Sequence, residues 1–248
     1  MIRIDSVYKS FNQTVVLNDI QLSFAPKKTH ILLGASGSGK STLLKMIMGL
    51  ISPDQGSIWL DQEKMTPSSQ RLLAQKMGYV LQDGGLFPHL NARQNIALMA
   101  ETLGWSSQQI QNRIDELIEV VSLDHLVLGK FPRQLSGGEK QRVAVMRAAF
   151  LNPNVILLDE PLGALDPLIR SSLQKELRSI FEKLQKLVIM VTHDIGEAAF
   201  FGHTVTLLYQ GRVLQHGSFS ELLHAPTHPY VTEFIQAQRT LHDLGDKI

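Results

Sequence analysis

The chain has 248 residues, of which 24 are Lys or Arg and 23 are Asp or Glu, so its formal charge is +1 with histidine neutral. A protein that binds nucleic acid chiefly through phosphate contacts carries a basic excess, so this balance argues against nucleic acid as a partner. The sequence has no cysteine, which excludes disulfides and thiolate metal sites. Hydrophobic residues at 44% and charged residues at 19% describe a globular protein with a substantial core.

Nothing in the sequence predicts a membrane span. The longest stretch without Asp, Glu, Lys or Arg is residues 198–211, only 14 residues, whereas a spanning helix needs about 20 mostly apolar residues. The first residues, Met1–Asp5, lack the long apolar run of a signal peptide. We therefore expect a cytoplasmic protein, which would act at a membrane only by docking on other proteins.

The first 60 residues predict strands and one helix. Apolar residues alternate with polar ones at 20–24 and 58–60, which indicates half-buried antiparallel strands. The continuous apolar run 30–33 instead predicts a buried parallel strand that leads into a glycine-rich stretch. Beyond Gly39, apolar residues at helical spacing predict a helix that ends near Gly49.

The rest of the chain predicts a helical lobe and then further α/β structure. From about 86 to 151 the apolar period is helical. A buried strand at 155–158, a helix through 169–184 and a strand at 187–191 follow. Strand, helix and strand within about 37 residues form a βαβ unit, which requires a parallel sheet. A hairpin around 210–211 and a helical tail complete the prediction.

A glycine-rich loop between the predicted strand and helix fits the phosphate-binding pattern G-x-x-x-x-G-K-[ST]. Glycines allow successive backbone N–H groups to point inward, where the helix N-terminus adds positive potential. Lys40 would contact the β- and γ-phosphates of a nucleotide, and the Ser41 hydroxyl would ligate Mg²⁺. The candidate nucleotide-binding residues of this loop are Gly34, Ala35, Ser36, Gly37, Ser38, Gly39, Lys40, Ser41 and Thr42.

Two acidic residues follow the buried strand at 155–158. Asp159 stands at its C-terminal end, where ligands of α/β proteins bind, and a phosphate-bound Mg²⁺ would compensate its charge. Glu160 comes next and is placed to polarise a water for attack on the γ-phosphorus. On their own, two acidic residues after a strand are as often a solvated turn, and the phosphate loop is what favours the catalytic interpretation.

A second glycine-rich stretch, L-S-G-G-E-K-Q-R at 135–142, opens a predicted helix with Ser136 as its N-cap. This is the signature of ATP-binding cassette (ABC) ATPases, and the chain resembles that family from about Ile2 to about Tyr230. The resemblance implies a head-to-tail dimer in which each ATP lies between one phosphate loop and the signature of the other copy. The signature residues implied to contact ATP are Ser136, Gly137, Gly138 and Gln141.

The same resemblance assigns further residues. Gln82, which follows a strand, would contact Mg²⁺ and the attacking water, and His193 would sense the γ-phosphate. Asp166 corresponds to the aspartate that communicates across the dimer. Phe11 best matches the aromatic that stacks on adenine, with Tyr8 as the second choice; either ring could instead belong to the core.

The implied fold is an α/β P-loop NTPase core with a parallel sheet, an N-terminal antiparallel β-subdomain and an inserted α-helical subdomain. We expect one nucleotide-binding domain over 1–248. Its ATPase core would comprise 1–84 and 151–226, its helical subdomain 85–150 and its helical tail 227–248.

Within the family, segments 83–89, 113–117 and 163–167 most resemble ATPases of the glycine betaine, choline and carnitine uptake group. The expected partners are ATP, a second copy of the chain, transmembrane permease subunits and a substrate-binding protein, with Mg²⁺ as cofactor and the inner face of the cell membrane as location. Since the chain ends soon after Tyr230, we expect it to lack the C-terminal regulatory modules of many members. Two alternatives stay open: the ATPase of an exporter or lipid-trafficking complex, and a soluble ABC ATPase that does not transport.

Overall fold

The structure is a computed structural model that describes residues 1–163 and 167–245. It contains two compact units. We call them the terminal unit, which consists of Met1–Gln70 and the chain from Ile189 onward, and the middle unit, Arg71–Val188. Each is described by itself.

The elements of the terminal unit are β1 (Ile2–Phe11), β2 (Thr14–Phe24), β3 (Thr29–Leu33), α1 (Lys40–Ile47), β4 (Gln55–Leu60) and β5 (Glu63–Lys64). Beyond Ile189 the unit continues with most of the strand Leu187–Thr192, which we label β8, and with α7 (Ile195–Phe201), β9 (Thr204–Tyr209), β10 (Arg212–Gly217), α8 (Phe219–His224) and α9 (Pro229–Gly245). The middle unit contains α2 (Gln70–Gln75), β6 (Met77–Val80), α3 (Ala92–Thr102), α4 (Ser107–Val121), α5 (Gly137–Ala149), β7 (Val155–Asp159) and α6 (Pro167–Leu184). It also has 3-10 segments at His125–Gly129 and Pro132–Gln134.

An antiparallel sheet forms one part of the terminal unit, with strand order β2-β1-β4-β5. Ile4 on β1 lies opposite Leu22 on one side and Ile58 on the other, and all three are buried. Their burial is the physical reason for the period-two pattern in the sequence, because alternate side chains of a strand face the same side. The predicted antiparallel strands are confirmed.

The other strands of the terminal unit run in the order β10-β9-β3-β8. β3 pairs with β9 in parallel, with Ile31 opposite Val205, and all five β3 side chains are buried. β9 and β10 form the predicted hairpin, whose turn residues Gln210 and Gly211 have φ of 47° and 75°. A Cβ atom at Gly211 would collide with the carbonyl oxygen of Val16, so the turn requires glycine on both counts.

In the middle unit two parallel strands, β6 and β7, pair with Tyr79 opposite Leu157. Helices α3, α4 and α5 contact one another, which confirms the predicted helical structure of this segment. The predicted apolar face of α4 is buried along its length: Ile110, Ile114, Leu117, Ile118 and Val121. Among the described residues of both units, no helix is long and apolar enough to cross a bilayer.

Gly78 on β6 lies close to the backbone of the helix α5. A Cβ atom at this position would collide with the backbone carbonyl of Ala148, and backbone cannot swing aside as a flexible side chain can. We predict that Gly78→Ala lowers the free energy of unfolding by about 1–3 kcal/mol, the usual cost of overpacking.

The matched control is Gly129→Ala in the same unit, because a Cβ atom at Gly129 would have no neighbour within 4 Å. Urea denaturation of both variants measures the difference. Equal stability of the two variants would contradict the proposed packing constraint.

Candidate functional site

The phosphate loop of the terminal unit connects the end of β3 to the first residue of α1. Its two outer glycines are required by space as well as by conformation. A Cβ atom at Gly34 would collide with the carbonyl oxygen of Leu208, and one at Gly39 would lie 2.7 Å from Leu17 Cδ2. Gly39 also has φ of 102°, a conformation that side chains oppose. The loop therefore packs its own backbone against neighbouring strands, with Ala35, Ser36 and Gly37 exposed between the two glycines.

Lys40 lies across this loop instead of pointing into solvent. Its side chain is 5% exposed, and Nζ donates to the carbonyl oxygens of Gly34 at 2.7 Å and Ala35 at 2.8 Å. Ser38 Oγ is also buried and has no hydrogen-bond partner in the described part of the chain. A buried ammonium and an unsatisfied hydroxyl at the start of a helix suit an anionic ligand that accepts several hydrogen bonds. Ser41 and Thr42, at the start of α1, are half-buried.

His193 lies on an ordered loop at the end of β8. The hydroxyl of Thr192 donates to Glu197 Oε2 at 2.6 Å and accepts from the Asp194 amide at 3.0 Å. Asp194 is the N-cap of α7 and accepts from the amide of Glu197. The His193 side chain is exposed, so the loop presents an imidazole at the surface of the terminal unit.

Phe11 is also exposed, at the end of β1. Its ring is 43% exposed and has the ammonium of Lys9 5.2 Å from its centroid. Tyr8, the second choice for adenine stacking, is half-buried. Of the two rings, Phe11 therefore has the more accessible face.

The middle unit carries the acidic residues. Asp159 ends β7 and is half-buried, and the hydroxyl of Tyr79 on β6 donates to Asp159 Oδ2 at 3.3 Å. Burial first, and then the negative charge of Asp159, raise the pKa of Tyr79 above its ordinary value, so the phenol stays protonated and available as a donor. Sequence reasoning did not find Tyr79, because its partner is 80 residues away.

Glu160 has φ of 46°, a left-handed conformation that is unfavourable for a residue with a side chain. Such strain costs roughly 1–3 kcal/mol and concentrates at functional sites. The structure brings Glu160 and Gln82 together: a Cβ atom at Gly163 would lie 3.5 Å from Glu160 Oε2 and 3.4 Å from Gln82 Nε2. The two side chains predicted to act on the attacking water therefore approach the same small residue.

The signature stretch begins α5 in the middle unit. Ser136 is the N-cap: its hydroxyl accepts from the Glu139 amide at 3.2 Å, and its own amide donates to Glu139 Oε2 at 2.7 Å. Lys130 Nζ donates to Glu139 Oε1 at 2.9 Å. This capping box leaves the amides of Gly137 and Gly138, in the first turn, available for an anion.

Of two further polar side chains of α5, Gln141 is buried and Arg147 is half-buried. Gln141 is 4% exposed, and its Nε2 has no hydrogen-bond partner within the described ranges. Arg147 donates to the carbonyl oxygens of Gly84 and Gly85, both at 2.8 Å, which ties α5 to the loop that follows Gln82. The sequence analysis missed these two hydrogen bonds. An arginine among the apolar residues of a predicted buried helix was the one signal that could have indicated them.

The predicted site residues thus fall into two groups. Phe11, the phosphate loop and His193 lie in the terminal unit, and Gln82, the signature, Asp159 and Glu160 lie in the middle unit. Asp166 lies outside the described residues. Within the described ranges, no group of three or more His, Asp or Glu residues forms a metal site by itself.

Comparison with known proteins identifies what these groups resemble. The pattern of the family described as ABC transporter matches residues 17–163. The glycine betaine/carnitine/choline transport ATP-binding protein OpuCA of Bacillus subtilis is 38% identical over 98% of this chain and 64% of its own length. The glycine betaine uptake system ATP-binding protein YehX of Escherichia coli is 41% identical over 94% of this chain and 76% of its own length. These relatives confirm the predicted similarity to the osmoprotectant uptake group.

A relative named for a different substrate is just as similar. The sulfate/thiosulfate import ATP-binding protein CysA of Gloeobacter violaceus is 42% identical over 97% of this chain and 69% of its own length. Among solved structures, a dimeric post-hydrolysis state of the ATP-binding cassette MJ0796 bound to ADP and Pi has a TM-score of 0.77 and 30% identity, over 88% of this chain and 99% of that chain. The predicted P-loop α/β fold class is confirmed. The chain spans slightly less than two thirds of the OpuCA length.

The capping box predicts a pH dependence. Hydrogen bonds from the Ser136 amide and from Lys130 lower the pKa of Glu139 from its ordinary 4.5 to about 2. A lowered pKa stabilises the folded state fully above the unfolded value, and that stabilisation disappears as the pH falls from 4.5 toward 2. We predict that Glu139→Gln costs about 1 kcal/mol of unfolding free energy at pH 7 and progressively less below pH 4.5.

Urea denaturation of wild type and variant between pH 7 and 3 measures this convergence. Glu101→Gln is the control, since Glu101 is exposed at the end of α3. A stability difference for Glu139→Gln that stays constant over the whole range would contradict the assignment.

Proposed function

The chain belongs to the ABC transporter family, and on that premise we propose that it binds and hydrolyses ATP as the energy-coupling subunit of an importer. One observation carries the proposal: Lys40 is buried against the glycine-rich loop, with Nζ 2.7 Å from the carbonyl oxygen of Gly34 and 2.8 Å from that of Ala35. This arrangement places one buried cation beside the backbone of a glycine-rich loop. A triphosphate is a ligand that uses both.

In the proposed complex the phosphate loop holds the phosphates. The backbone amides of residues 34–42 donate to them, and Lys40 exchanges its two carbonyl partners for β- and γ-phosphate oxygens. The ammonium thereby gains a stronger, charge-assisted partner without leaving its buried position. Phe11 stacks on the adenine through its exposed face.

The proposed Mg²⁺ ligands are Ser41, Gln82 and Asp159. Their oxygen donors suit this ion, which binds carboxylate, hydroxyl and phosphate oxygens in preference to nitrogen or sulfur. When bound, Mg²⁺ neutralises charge on the β- and γ-phosphates. Tyr79 donates to one Asp159 oxygen, which restricts the orientation of the carboxylate and suits it to accept a cation on its remaining lone pairs.

Hydrolysis needs a group that polarises the attacking water, and we assign this role to Glu160. Its left-handed backbone conformation supports the assignment, since the chain tolerates a strained residue there. Gln82, which approaches the same glycine, orients the water, and His193 contacts the γ-phosphate from its exposed loop.

We propose that the working unit is a head-to-tail homodimer. The chain has two anion-binding stretches, the phosphate loop and the signature, and one triphosphate needs only one of them as a cradle. Ser136, Gly137, Gly138 and Gln141 would bind the ATP held by the other copy. Gln141 Nε2 is buried and has no hydrogen-bond partner in the described part of the chain, which supports this role because it could donate to a bound nucleotide.

The proposed location is the inner face of the cell membrane, where the chain would dock on transmembrane permease subunits. A substrate-binding protein would deliver the solute to these subunits. We also propose that the chain consists of an ATPase core (1–84 and 151–226), a helical subdomain (85–150) and a helical tail (227–248). The names of OpuCA and YehX favour a quaternary-ammonium osmoprotectant as the transported solute, and 42% identity to CysA favours sulfate as the second candidate.

Reconstitution decides between the two solutes. The chain is assembled in vesicles with the permease and binding-protein subunits that co-purify with it, and uptake of glycine betaine and of sulfate is measured with ATP inside. The proposal expects ATP-dependent uptake of glycine betaine. Uptake of sulfate alone selects the second candidate, and ATP-driven efflux contradicts import.

Removal of the Lys40 charge tests the phosphate site. We predict that Lys40→Ala lowers the ATP hydrolysis rate by about 10²-fold or more, the usual effect of removing one group that stabilises transition-state charge. Lys45→Ala is the matched control, because Lys45 is an exposed lysine on the same helix. A rate for Lys40→Ala near that of Lys45→Ala would contradict the site.

Replacement of Glu160 separates binding from hydrolysis. We predict that Glu160→Gln keeps the affinity for ATP and loses about 10²- to 10⁴-fold in turnover, because the amide cannot accept a proton from the water. Equilibrium binding of labelled ATP and steady-state phosphate release measure the two quantities. Glu119→Gln, at an exposed position of α4 in the same unit, serves as control; near-control turnover of Glu160→Gln would remove Glu160 from the mechanism.

A further inference from the structure

The peptide groups around His193 are held by a residue far along the chain. The side-chain amide of Gln238, on α9, donates through Nε2 to the carbonyl oxygen of His193 at 2.6 Å. Its Oε1 accepts from the backbone amide of Ile195 at 3.0 Å. One side chain thus binds both a carbonyl and an amide of the same loop, which requires a donor and an acceptor together, as a primary amide provides.

The two hydrogen bonds reach backbone groups just beyond β8 and at the start of α7. Ile195 is the first residue of α7, and the first amides of a helix have no acceptor within the helix. The carbonyl of His193 lies beyond the end of β8. Together with the Thr192 hydroxyl, which bonds to Glu197 and Asp194, Gln238 fixes the peptides on both sides of Asp194. The backbone orientation of His193 is set by these contacts.

Helix α9 is itself firmly anchored in the terminal unit. Its apolar residues Val231, Phe234 and Ile235 are buried, at 0%, 8% and 3% exposure. The ring of Tyr230 lies 3.8 Å from that of Tyr209 on β9, centroid to centroid. These contacts fix the first two turns of α9, so Gln238 reaches the loop from a helix whose position the core determines.

We propose that Gln238 is a positioning residue for catalysis: its amide holds the His193 backbone in the orientation from which the imidazole contacts the γ-phosphate, so that α9 controls the nucleotide response of the loop. This inference rests on the role proposed above for His193. It adds a function for α9, whose sequence carries no nucleotide-binding motif.

The first test is kinetic. Gln238→Ala removes both hydrogen bonds and should lower kcat about tenfold, the effect of losing two ordinary hydrogen bonds. The KM for ATP should stay within about twofold of wild type, because the phosphate loop is untouched. Gln236→Ala, at an exposed glutamine of the same helix, is the matched control. A kcat for Gln238→Ala equal to that of the control would overturn the proposal.

A second variant separates positioning from a general loss of structure. Gln238→Glu keeps the length of the side chain and an acceptor for Ile195, but the ionised carboxylate cannot donate to the His193 carbonyl. It should lose kcat as Gln238→Ala does while the chain stays folded at the assay temperature, which thermal denaturation checks. Full activity of Gln238→Glu would overturn the proposal, since the donor to His193 would then be dispensable.

The closing experiment observes His193 directly. The imidazole signal of His193 is followed by NMR in the Glu160→Gln chain, with and without ATP and Mg²⁺, alone and combined with Gln238→Ala or Gln236→Ala. We expect ATP to shift the signal in the parent, which is the chain with Glu160→Gln alone, and in the chain that also carries Gln236→Ala. In the chain that also carries Gln238→Ala, ATP should leave the signal unshifted. An equal shift with Gln238→Ala overturns the positioning role alone. No shift in the parent overturns the role proposed for His193 and this inference with it.

Discussion

The central constraint is that a loop must present several backbone amides to one anion without side chains in the way. In this chain the loop backbone packs closely against its neighbours: Gly34 against the Leu208 carbonyl, and Gly39 against the Val16 carbonyl and the Leu17 side chain of β2. Any larger residue would push the loop outward and turn its amides away. Lys40, buried across the same loop, then adds the one positive charge that the amides lack.

Other features of the terminal unit follow from this requirement. β3 is buried on both faces, so the loop starts from a fixed point. The β9–β10 hairpin reaches the loop through the Gly211 amide, which donates to the Ser38 carbonyl at 3.2 Å. In the proposed complex neutral backbone and a single lysine hold the anion, so the surface needs no basic excess. The formal charge of +1 is therefore consistent with a phosphate-binding protein.

The sequence was sufficient wherever function depends on residues close together in the chain. The phosphate loop, the signature N-cap at Ser136 and the strand that ends at Asp159 are local patterns, and each is found in the predicted element. It was insufficient where one side chain acts on distant backbone. Arg147 binds carbonyls 62 and 63 residues away, and Gln238 binds a carbonyl 45 residues away; such contacts leave no periodic signal, because only the folded packing of α5 and α9 brings them about.

The claim on which the function rests is that the signature of one copy completes the ATP site of another, and mixing two inactive chains tests it most directly. In a dimer of a Lys40→Ala chain and a Ser136→Arg chain, head-to-tail pairing places both defects in one site and leaves the other site intact. The account predicts that each variant alone is inactive and that the mixture regains ATP hydrolysis. A mixture as inactive as its parents would contradict the shared site.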